Sequence, residues 1–506
     1  MEASGILLLI ASYFGVLILI SYLTGKKADN AAFFKANNTS PWYLVAFGMI
    51  GASLSGVTFI SVPGWVEAQS MGYMQMVLGY VLGYAMIGLV LLPLYYRLNL
   101  TSIYTYLEDR FGRYTYKTGA SFFLLSRTVG AAFRLFLVAK VLQLLLFDEM
   151  GIPFWATVTI TILLIWLYTF RGGIKTIVWT DTLQTLFMLI AVGVCIYSVA
   201  AEMHIASLWD YVADSQLSKT FFFEDFKAGN YFWKQFFSGA FIAVVMTGLD
   251  QDMMQKNLTC KSLKDAQRNM FWFTIVLVIV NFFFLALGVL LTDYAQKNGI
   301  DAHKDALFPI VATEGRLGMA TAVFFLLGLI AAAYSSADSA LTSLTTSFSI
   351  DILGIEKEGT SASLSASKKV RIRKWVHILF SLILIITILV FKYVIADESV
   401  IAKIFTFAGY TYGPLLGLYA FGLFTKWNVR DKAVPYICVL APVLTLIITL
   451  LSTVYSYFFR ITKYPSIENT WACAQEFAQD HYYVFGFEIL VMNGLITILG
   501  LYLFKK

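Results

Sequence analysis

Charged residues are scarce in this chain. Asp, Glu, Lys and Arg make up 13% of the 506 residues, and hydrophobic residues make up 59%. A soluble domain carries about a quarter charged residues, so the composition indicates an integral membrane protein. The net charge of +6 is spread over many short loops. We therefore attribute it to orientation in the bilayer and expect no nucleic-acid partner.

Cysteine and histidine are also rare, with four of each. No CxxC pair occurs and the histidines are scattered near loops, so the sequence predicts neither a disulfide framework nor a zinc site. No nucleotide-binding P-loop and no nucleophile-base pair is visible, which argues against an enzyme and against ATP as the energy source. The first apolar run lacks a basic start and a small-residue cleavage site, so we interpret it as a retained helix.

Long apolar runs are what the chain has in abundance. A helix of about 20 residues crosses the roughly 30 Å hydrocarbon core of a bilayer. Thirteen runs meet this length: 5–24, 43–62, 72–96, 118–147, 153–170, 176–200, 230–250, 270–292, 319–350, 372–394, 400–424, 433–456 and 484–504. We predict an all-α membrane protein with about 13 transmembrane helices.

The loops between these runs alternate in charge. Most Lys and Arg residues fall in one set of loops: 25–42, 97–117, 171–175, 251–269, 351–374 and 425–432, with the tail 505–506. Basic loops stay in the cytoplasm, so this set is predicted to be cytoplasmic. The N-terminus is then outside and the C-terminus inside. The longer outer loops 201–229, 293–318 and 457–483 are predicted to form short interfacial helices or a lid.

The ninth run is polar where lipid disfavours polarity. At 100° per residue its small and hydroxyl residues fall within a sector of roughly 100°, with Asp338 on the flank: Ala332, Ser335, Ser336, Ser339 and Ser343. A carboxylate at membrane depth costs about 2.5–3.5 kcal/mol and usually faces an ion, proton or substrate path. Neutral hard oxygens suit Na⁺. Close helix packing by small residues explains the same pattern, and both interpretations are open.

The second run is interrupted at a similar depth. Its segment 51–58, Gly-Ala-Ser-Leu-Ser-Gly-Val-Thr, contains helix-disfavouring residues near the middle of the bilayer. A helix that unwinds at Ser53 to Gly56 releases carbonyls that a bound cation can satisfy. A plain kink is the alternative. The sequence predicts that this break meets the serines of the ninth run.

Further ionisable residues lie inside the predicted spans. Asp181 is placed at a depth comparable to Asp338 and Ser339, and two nearby carboxylates repel unless a cation or proton lies between them. Four interpretations are therefore open: a second ion site, a proton site, a helix cap formed by Asp181, or an ion pair between Asp181 and a lysine. Arg127 and Arg134 share one helix face and either meet an anionic substrate, pair with these carboxylates or reach the interface.

Five segments together resemble the sodium:solute symporter family. They are ASLSGVTFISVPG at 52–64, TSIYTYLEDRFG at 101–112, RGGIKTIVWTDTLQ at 171–184, AAAYSSADSALTS at 331–343 and YTYGPLLGLYAFGLF at 410–424. The resemblance implies a LeuT-type core of two inverted five-helix repeats. In this chain the repeats would be 43–200 and 230–424, preceded by one helix at 5–24 and followed by two helices in 433–506.

The resemblance also implies site residues. The main sodium ligands would be the carbonyls of Gly51, Leu54 and Ala332 with the hydroxyls of Ser335 and Ser336. A second sodium or proton site would involve Asp181, Asp338 and Ser339, although Asp338 replaces the hydroxyl residue expected there. The implied substrate contacts are Ser55, Thr58, Gln75, Arg134, and Tyr410 to Gly413.

The function implied is sodium-coupled import of a small organic solute by alternating access across the plasma (inner) membrane. The solute would be a sugar, an amino acid or an organic anion, with Na⁺ as the coupling ion and no further cofactor. Proton coupling through Asp338 and Asp181, a transporter-like membrane sensor and a channel are the alternatives.

Overall fold

The computed structural model describes residues 3–25, 33–34, 36, 39–314, 317–355, 365–394, 400–463 and 485–506. Within these ranges the chain is helical, and two isolated β-bridges are its sole extended pairings. The prediction of an all-α protein is confirmed. A helix satisfies its backbone polar groups internally, and the hydrocarbon of a bilayer offers them no other hydrogen-bond partners. The principal helices are α1 (Ala3–Gly25), α2 (Trp42–Ser53), α3 (Gly56–Gln69), α4 (Tyr73–Met86), α5 (Arg113–Leu142), α6 (Phe154–Gly172), α7 (Ile174–Glu202), α8 (Phe232–Ala243), α9 (Gln251–Asn257), α10 (Leu263–Asn298), α11 (Leu307–Glu314), α12 (Met319–Ser347), α13 (Ala366–Val394), α14 (Val400–Phe424), α15 (Val434–Lys463) and α16 (Ile489–Leu503).

Each predicted span overlaps one of these helices or a broken pair of them. Among the described residues, eight helices are long and apolar enough to cross a membrane, or nine if a bent pair counts as one span. The count of thirteen spans and the limits of the two repeats remain predictions. Parts of the predicted loops 351–374 and 457–483, with Cys473 and His481, lie outside the described residues.

The first broken helix is formed by α2 and α3. The helix ends at Ser53, Leu54 has φ −81° and ψ 70°, Ser55 has φ −68° and ψ 174°, and helix resumes at Gly56. The predicted break is confirmed. Serine and glycine favour helix less than alanine or leucine, so this is the weakest point of an otherwise apolar run.

The second broken helix joins α8 to α9. The two halves, Phe232–Gly248 and Gln251–Asn257, are bent by 69°. The side chain of Asp250 caps α9 by accepting the amides of Asp252 at 2.9 Å and Met253 at 3.4 Å. The sequence analysis assigned 251–257 to a loop, and this was wrong because the segment is a helix capped by Asp250 and all its residues are buried.

The centre of the bundle is α12, which contacts α2, α3, α5, α7, α9 and α13. Every residue from Leu329 to Ser347 is buried. A helix enclosed on all sides in this way can carry polar side chains that lipid would not accept. The serine-rich segment therefore lies where helices from both halves of the chain converge.

The segment 101–112 ties the end of α14 to the rest of the bundle. The guanidinium of Arg110 donates to the carbonyls of Gly422 at 3.2 Å, Thr425 at 2.9 Å and Trp427 at 2.9 Å. These carbonyls lie at the C-terminal end of α14, where helical partners run out and positive charge is favourable. The arginine of this family-like motif therefore acts as a helix cap.

Candidate ion and solute site

The break between α2 and α3 faces the serines of α12. The hydroxyl of Ser336 donates to the carbonyl of Ala52 at 3.4 Å. A Cβ on Gly51 would be in ordinary contact with Ser335, 3.4 Å from its Oγ, and would lie closer still to Thr185. Leu54, at the break, is 2% exposed. The predicted meeting of these two polar segments is confirmed.

The polar stripe of α12 is turned inward. Its five members are almost completely buried: Ala332, Ser335, Ser336, Ser339 and Ser343. Ser335 and Ser336 reach other helices through their hydroxyls, whereas Ser343 donates to the carbonyl of Ala340 on its own helix at 2.9 Å. The stripe therefore joins helices by polar contacts as well as by close packing.

The two breaks differ in how their carbonyls are satisfied. At the second break, Tyr95 donates to the Gly248 carbonyl at 2.8 Å and Tyr104 donates to the Leu249 carbonyl at 3.0 Å. At the first break, the carbonyls of Gly51 and Leu54 accept no backbone amide from the described residues. Buried carbonyls need partners, and a hard cation is one of the few that fit here.

Asp181 on α7 lies beside this break and is held by three donors. The ammonium of Lys256 lies 2.6 Å from its Oδ2, and the Ser335 hydroxyl donates to its Oδ1 at 2.7 Å. When the Gln184 amide is oriented with its nitrogen toward the carboxylate, it also donates to Oδ1, at 3.2 Å. The lysine partner, one of the alternatives in the sequence analysis, is the one observed.

The other members of the predicted second site have different partners. Tyr168 donates to Asp338 Oδ2 at 2.7 Å, while Asp338 Oδ1 is buried and has no hydrogen-bond partner among the described residues. Ser339 donates to Asp252. Asp181, Asp338 and Ser339 therefore have different hydrogen-bond partners in this structure, and Lys256 places a positive charge beside Asp181.

Arg127 interacts with two carboxylates at the N-terminal end of α9. It pairs with Asp252 and lies 3.9 Å from Asp250 Oδ2, which accepts the hydroxyl of Tyr412 at 2.5 Å. Arg127 does not pair with Asp181 or Asp338. Its charge is matched by carboxylates that the sequence analysis had placed in or next to a loop.

A cavity opens at the first break between α3, α4, α5, α8, α10 and α14. Its wall is partly apolar and includes a set of polar and aromatic side chains: Ser53, Ser55, Thr58, Tyr73, Tyr80, Tyr84, Arg127, Arg134, Thr247 and Asn281. Such a lining, apolar with a few convergent polar groups, is typical of a small-molecule site.

Arg134 brings a second guanidinium, beside that of Arg127, to this cavity. In the described part of the chain no carboxylate lies within ion-pair distance of its guanidinium, and its Nε is buried without a hydrogen-bond partner. Arg127, seven residues earlier, is paired with Asp252. Asp250 is an electrostatic neighbour of both guanidiniums, and the Nε–H of Arg134 is left to donate to a polar group of a bound solute.

The predicted substrate residues divide into two groups. Ser55, Thr58 and Arg134 line the cavity. Gln75 instead donates to the Asn230 carbonyl at 2.9 Å and accepts the Phe222 amide at 3.0 Å, so it anchors a loop. Tyr410 and Gly413 face the last helices, where Tyr410 bonds to Thr449 at 2.9 Å and Gly413 packs against Asn493.

Sequence reasoning missed several residues of the site. On α4 the cavity face carries Tyr73, Tyr80 and Tyr84, which share one helix side because their spacings of seven and four are close to whole turns. Gln75 lies about 200° away from Tyr73 on the same helix. Lys256 was missed because the second break was not recognised, although Asp250 is a good N-cap residue and the first helix of the other predicted repeat is broken as well.

Comparison with known proteins gives a family for this chain. The model of the sodium:solute symporter family matches residues 33–431. The sodium/sialic acid symporter SiaT of Proteus mirabilis is 25% identical over 454 residues, covering 83% of this chain and 85% of that protein. The sodium/sialic acid symporter NanT of Aliivibrio fischeri is 24% identical over 467 residues, covering 88% of each. The human sodium/iodide cotransporter is 25% identical over half of this chain and 39% of its own length.

Solved structures agree on the fold. A substrate-bound, outward-open Na⁺-coupled sialic acid symporter, described as revealing a novel Na⁺ site, superimposes with a TM-score of 0.77 at 19% identity, over 98% of this chain and 97% of that one. Mhp1, a nucleobase-cation-symport-1 family transporter, gives a TM-score of 0.50 at 13% identity, over 92% and 93% of the two chains. The fold is therefore the LeuT-like transporter fold, and the chain belongs to the sodium:solute symporter family.

Proposed function

We propose that this protein imports a small organic anion together with Na⁺ by alternating access. One observation carries the proposal. At the first helix break the carbonyls of Gly51 and Leu54 accept no backbone amide from the described residues, and the neighbouring Ala52 carbonyl contacts Ser336 of α12. The side chains of Ser55 and Thr58 at the same break line the cavity that also holds Arg134. A cation and an anion can thus be held by the same segment, 51–58, around the break.

The proposed sodium ligands are the carbonyls of Gly51, Leu54 and Ala332 and the hydroxyls of Ser335 and Ser336. These are hard, neutral oxygens, and they bind a weakly charged cation without the strong attraction that would make its release slow. The observed approach of Gly51 to Ser335 and the bond between Ser336 and Ala52 support this assignment.

The proposed anion site is centred on Arg134. A guanidinium binds a carboxylate through two parallel hydrogen bonds, and Ser55, Thr58 and Asn281 offer further polar groups in the same cavity. Tyr73, Tyr80 and Tyr84 supply apolar faces with hydroxyl tips. Because two relatives are named sodium/sialic acid symporters, sialic acid, an acidic sugar, is the first solute to test.

Binding of the ion and binding of the solute are coupled because both use the backbone segment around the first break. A cation that ties the break to α12 also fixes the positions of Ser55 and Thr58, so it should raise the affinity for the solute, and the solute should raise the affinity for the cation. With the predicted orientation in the plasma membrane, Na⁺ enters down its gradient. The membrane potential adds about 2.3 kcal/mol per charge per 100 mV.

The test is uptake of radiolabelled sialic acid into proteoliposomes that contain the purified protein. We expect accumulation with an inward Na⁺ gradient and none with K⁺ on both sides. Uptake that is unchanged when Na⁺ is replaced would overturn the proposed coupling. Sodium-driven uptake of a different carboxylate, without uptake of sialic acid, would support the coupling and the anionic class of the solute but change the solute itself.

A further inference from the structure

We propose that the ammonium of Lys256 is a built-in cation for Asp181, so that this carboxylate takes no sodium from solution. The chain then binds a single Na⁺, at the break between α2 and α3. The inference rests on the proposed function, because it concerns how many sodium ions accompany the solute.

The ion pair is enclosed in the protein. Lys256 Nζ lies 2.6 Å from Asp181 Oδ2, and the side chains are 2% and 0% exposed. Ser335 donates to the other carboxylate oxygen at 2.7 Å. Both oxygens of Asp181 thus have donors, and a sodium ion would have to displace an ammonium that is attached to the chain and cannot diffuse away.

The ammonium of Lys256 disfavours a sodium ion at Asp181. An ammonium and a sodium ion beside one carboxylate would repel each other strongly at low dielectric. Asp338 is the second carboxyl group in this region, with Oδ2 engaged by Tyr168 and Oδ1 without a partner among the described residues. A sodium ion at Asp338 in the presence of Lys256 is therefore the specific competing arrangement that the experiment must detect.

The lysine also connects the two broken helices. Lys256 lies on α9, just after the second break, whereas Asp181 and Ser335 lie on α7 and α12 beside the first break. The chain Lys256, Asp181, Ser335 ends at the proposed sodium site, where Ser335 faces Gly51. The built-in charge is thus placed to hold the Ser335 hydroxyl in position for the transported ion.

The experiment counts ²²Na⁺ bound per purified chain in detergent, with no solute present. We expect saturation at one Na⁺ in the wild type and in Lys256→Arg, which keeps the positive charge. We expect two in Lys256→Met, where Asp181 becomes free to bind a cation. The double variant Asp181→Asn/Lys256→Met removes both charges and is expected to return to one.

Two bound Na⁺ in the wild type would overturn the inference while supporting sodium coupling. One Na⁺ in a folded Lys256→Met protein would also overturn it. No ²²Na⁺ binding to the wild type would contradict the proposed function itself. If Lys256→Met does not fold, the wild-type count decides, with the charge-free double variant as the folded control.

Discussion

The hydroxyl of Ser336 and the carbonyl of Ala52 join α12 to the first helix break, 3.4 Å apart. If this serine is also a sodium ligand, Ser336→Ala removes one of five oxygens. We expect the Na⁺ concentration for half-maximal uptake to rise about tenfold or more, which corresponds to about 1.4 kcal/mol. The maximal rate at saturating Na⁺ should change less.

Ser343→Ala is the matched control. It lies two turns further along the same buried stripe, but its hydroxyl bonds within α12 to the Ala340 carbonyl. We expect its sodium dependence to stay within about twofold of the wild type, since it leaves the proposed site intact. Equal effects of the two substitutions would contradict a sodium site at Ser336.

Arg134 is expected to select for the negative charge of the solute. Arg134→Gln should raise the KM for a carboxylate solute by about 10- to 100-fold, because a charge-assisted hydrogen bond is worth about 1.5–3 kcal/mol. Competition with the neutral amide of the same solute provides the control. The substitution should leave competition by the amide nearly unchanged, and an equal loss for both ligands would argue against a carboxylate at Arg134.

The hydroxyl of Tyr104 is expected to stabilise the second break. Its removal in Tyr104→Phe leaves the buried Leu249 carbonyl without this donor and should lower stability by about 1–3 kcal/mol. Thermal unfolding in detergent measures the effect. Tyr43→Phe, at a side chain that is 57% exposed, should have little effect. Equal melting temperatures for the two variants would show that the hydroxyl of Tyr104 contributes nothing.

Asp431 is expected to act as the missing cap of α5. The N-cap residue of this helix is Gly112, and the Asp431 carboxylate instead accepts the amides of Tyr114 at 3.0 Å and Thr115 at 2.7 Å. Asp431→Ala should cost about 1 kcal/mol, and Asp431→Asn, which keeps one acceptor oxygen, should cost less. The order of melting temperatures tests this, and an asparagine variant as unstable as the alanine variant would contradict it.

His303 is expected to give the loop between α10 and α11 a small pH dependence. The Glu67 carboxylate, 2.6 Å away, raises the pKa of the imidazole above its usual 6.5, with a smaller contribution from Asp301. A raised pKa means that the stabilisation is fully present below about pH 6.5 and is lost as the pH rises through the higher folded value.

His303→Gln removes this dependence. The melting-temperature difference between wild type and variant should therefore be larger at pH 6 than at pH 9. It should be small at both, since the pair is exposed to solvent. A difference that does not change with pH would show that the charged pair does not form.

Local features were predictable from the sequence because they depend on residues close together in the chain. The break at Ser53 to Gly56 follows from weak helix formers within an apolar run. The stripe from Ala332 to Ser343 follows from the helical period. That these two segments meet required only their predicted depths in the bilayer.

Pairings between distant residues were not predictable in the same way. Lys256 and Asp181 are 75 residues apart, and their contact depends on a helix that bends by 69° after Gly248. A lysine in a basic segment is usually a loop residue, so the burial of Lys256 depends on how the helices pack and not on the local sequence. Similarly, the rotation of α4 about its axis decides that Tyr80 rather than Gln75 faces the cavity, and neighbouring helices set that rotation.

The most direct test of the account is the affinity of the purified protein for sialic acid in Na⁺ and in the same concentration of K⁺. Because one helix break is proposed to hold both the cation and the solute, we predict binding at least about tenfold tighter in Na⁺. Equal affinity in the two salts would contradict the claim that the ion at Gly51, Leu54 and Ser336 organises the solute site.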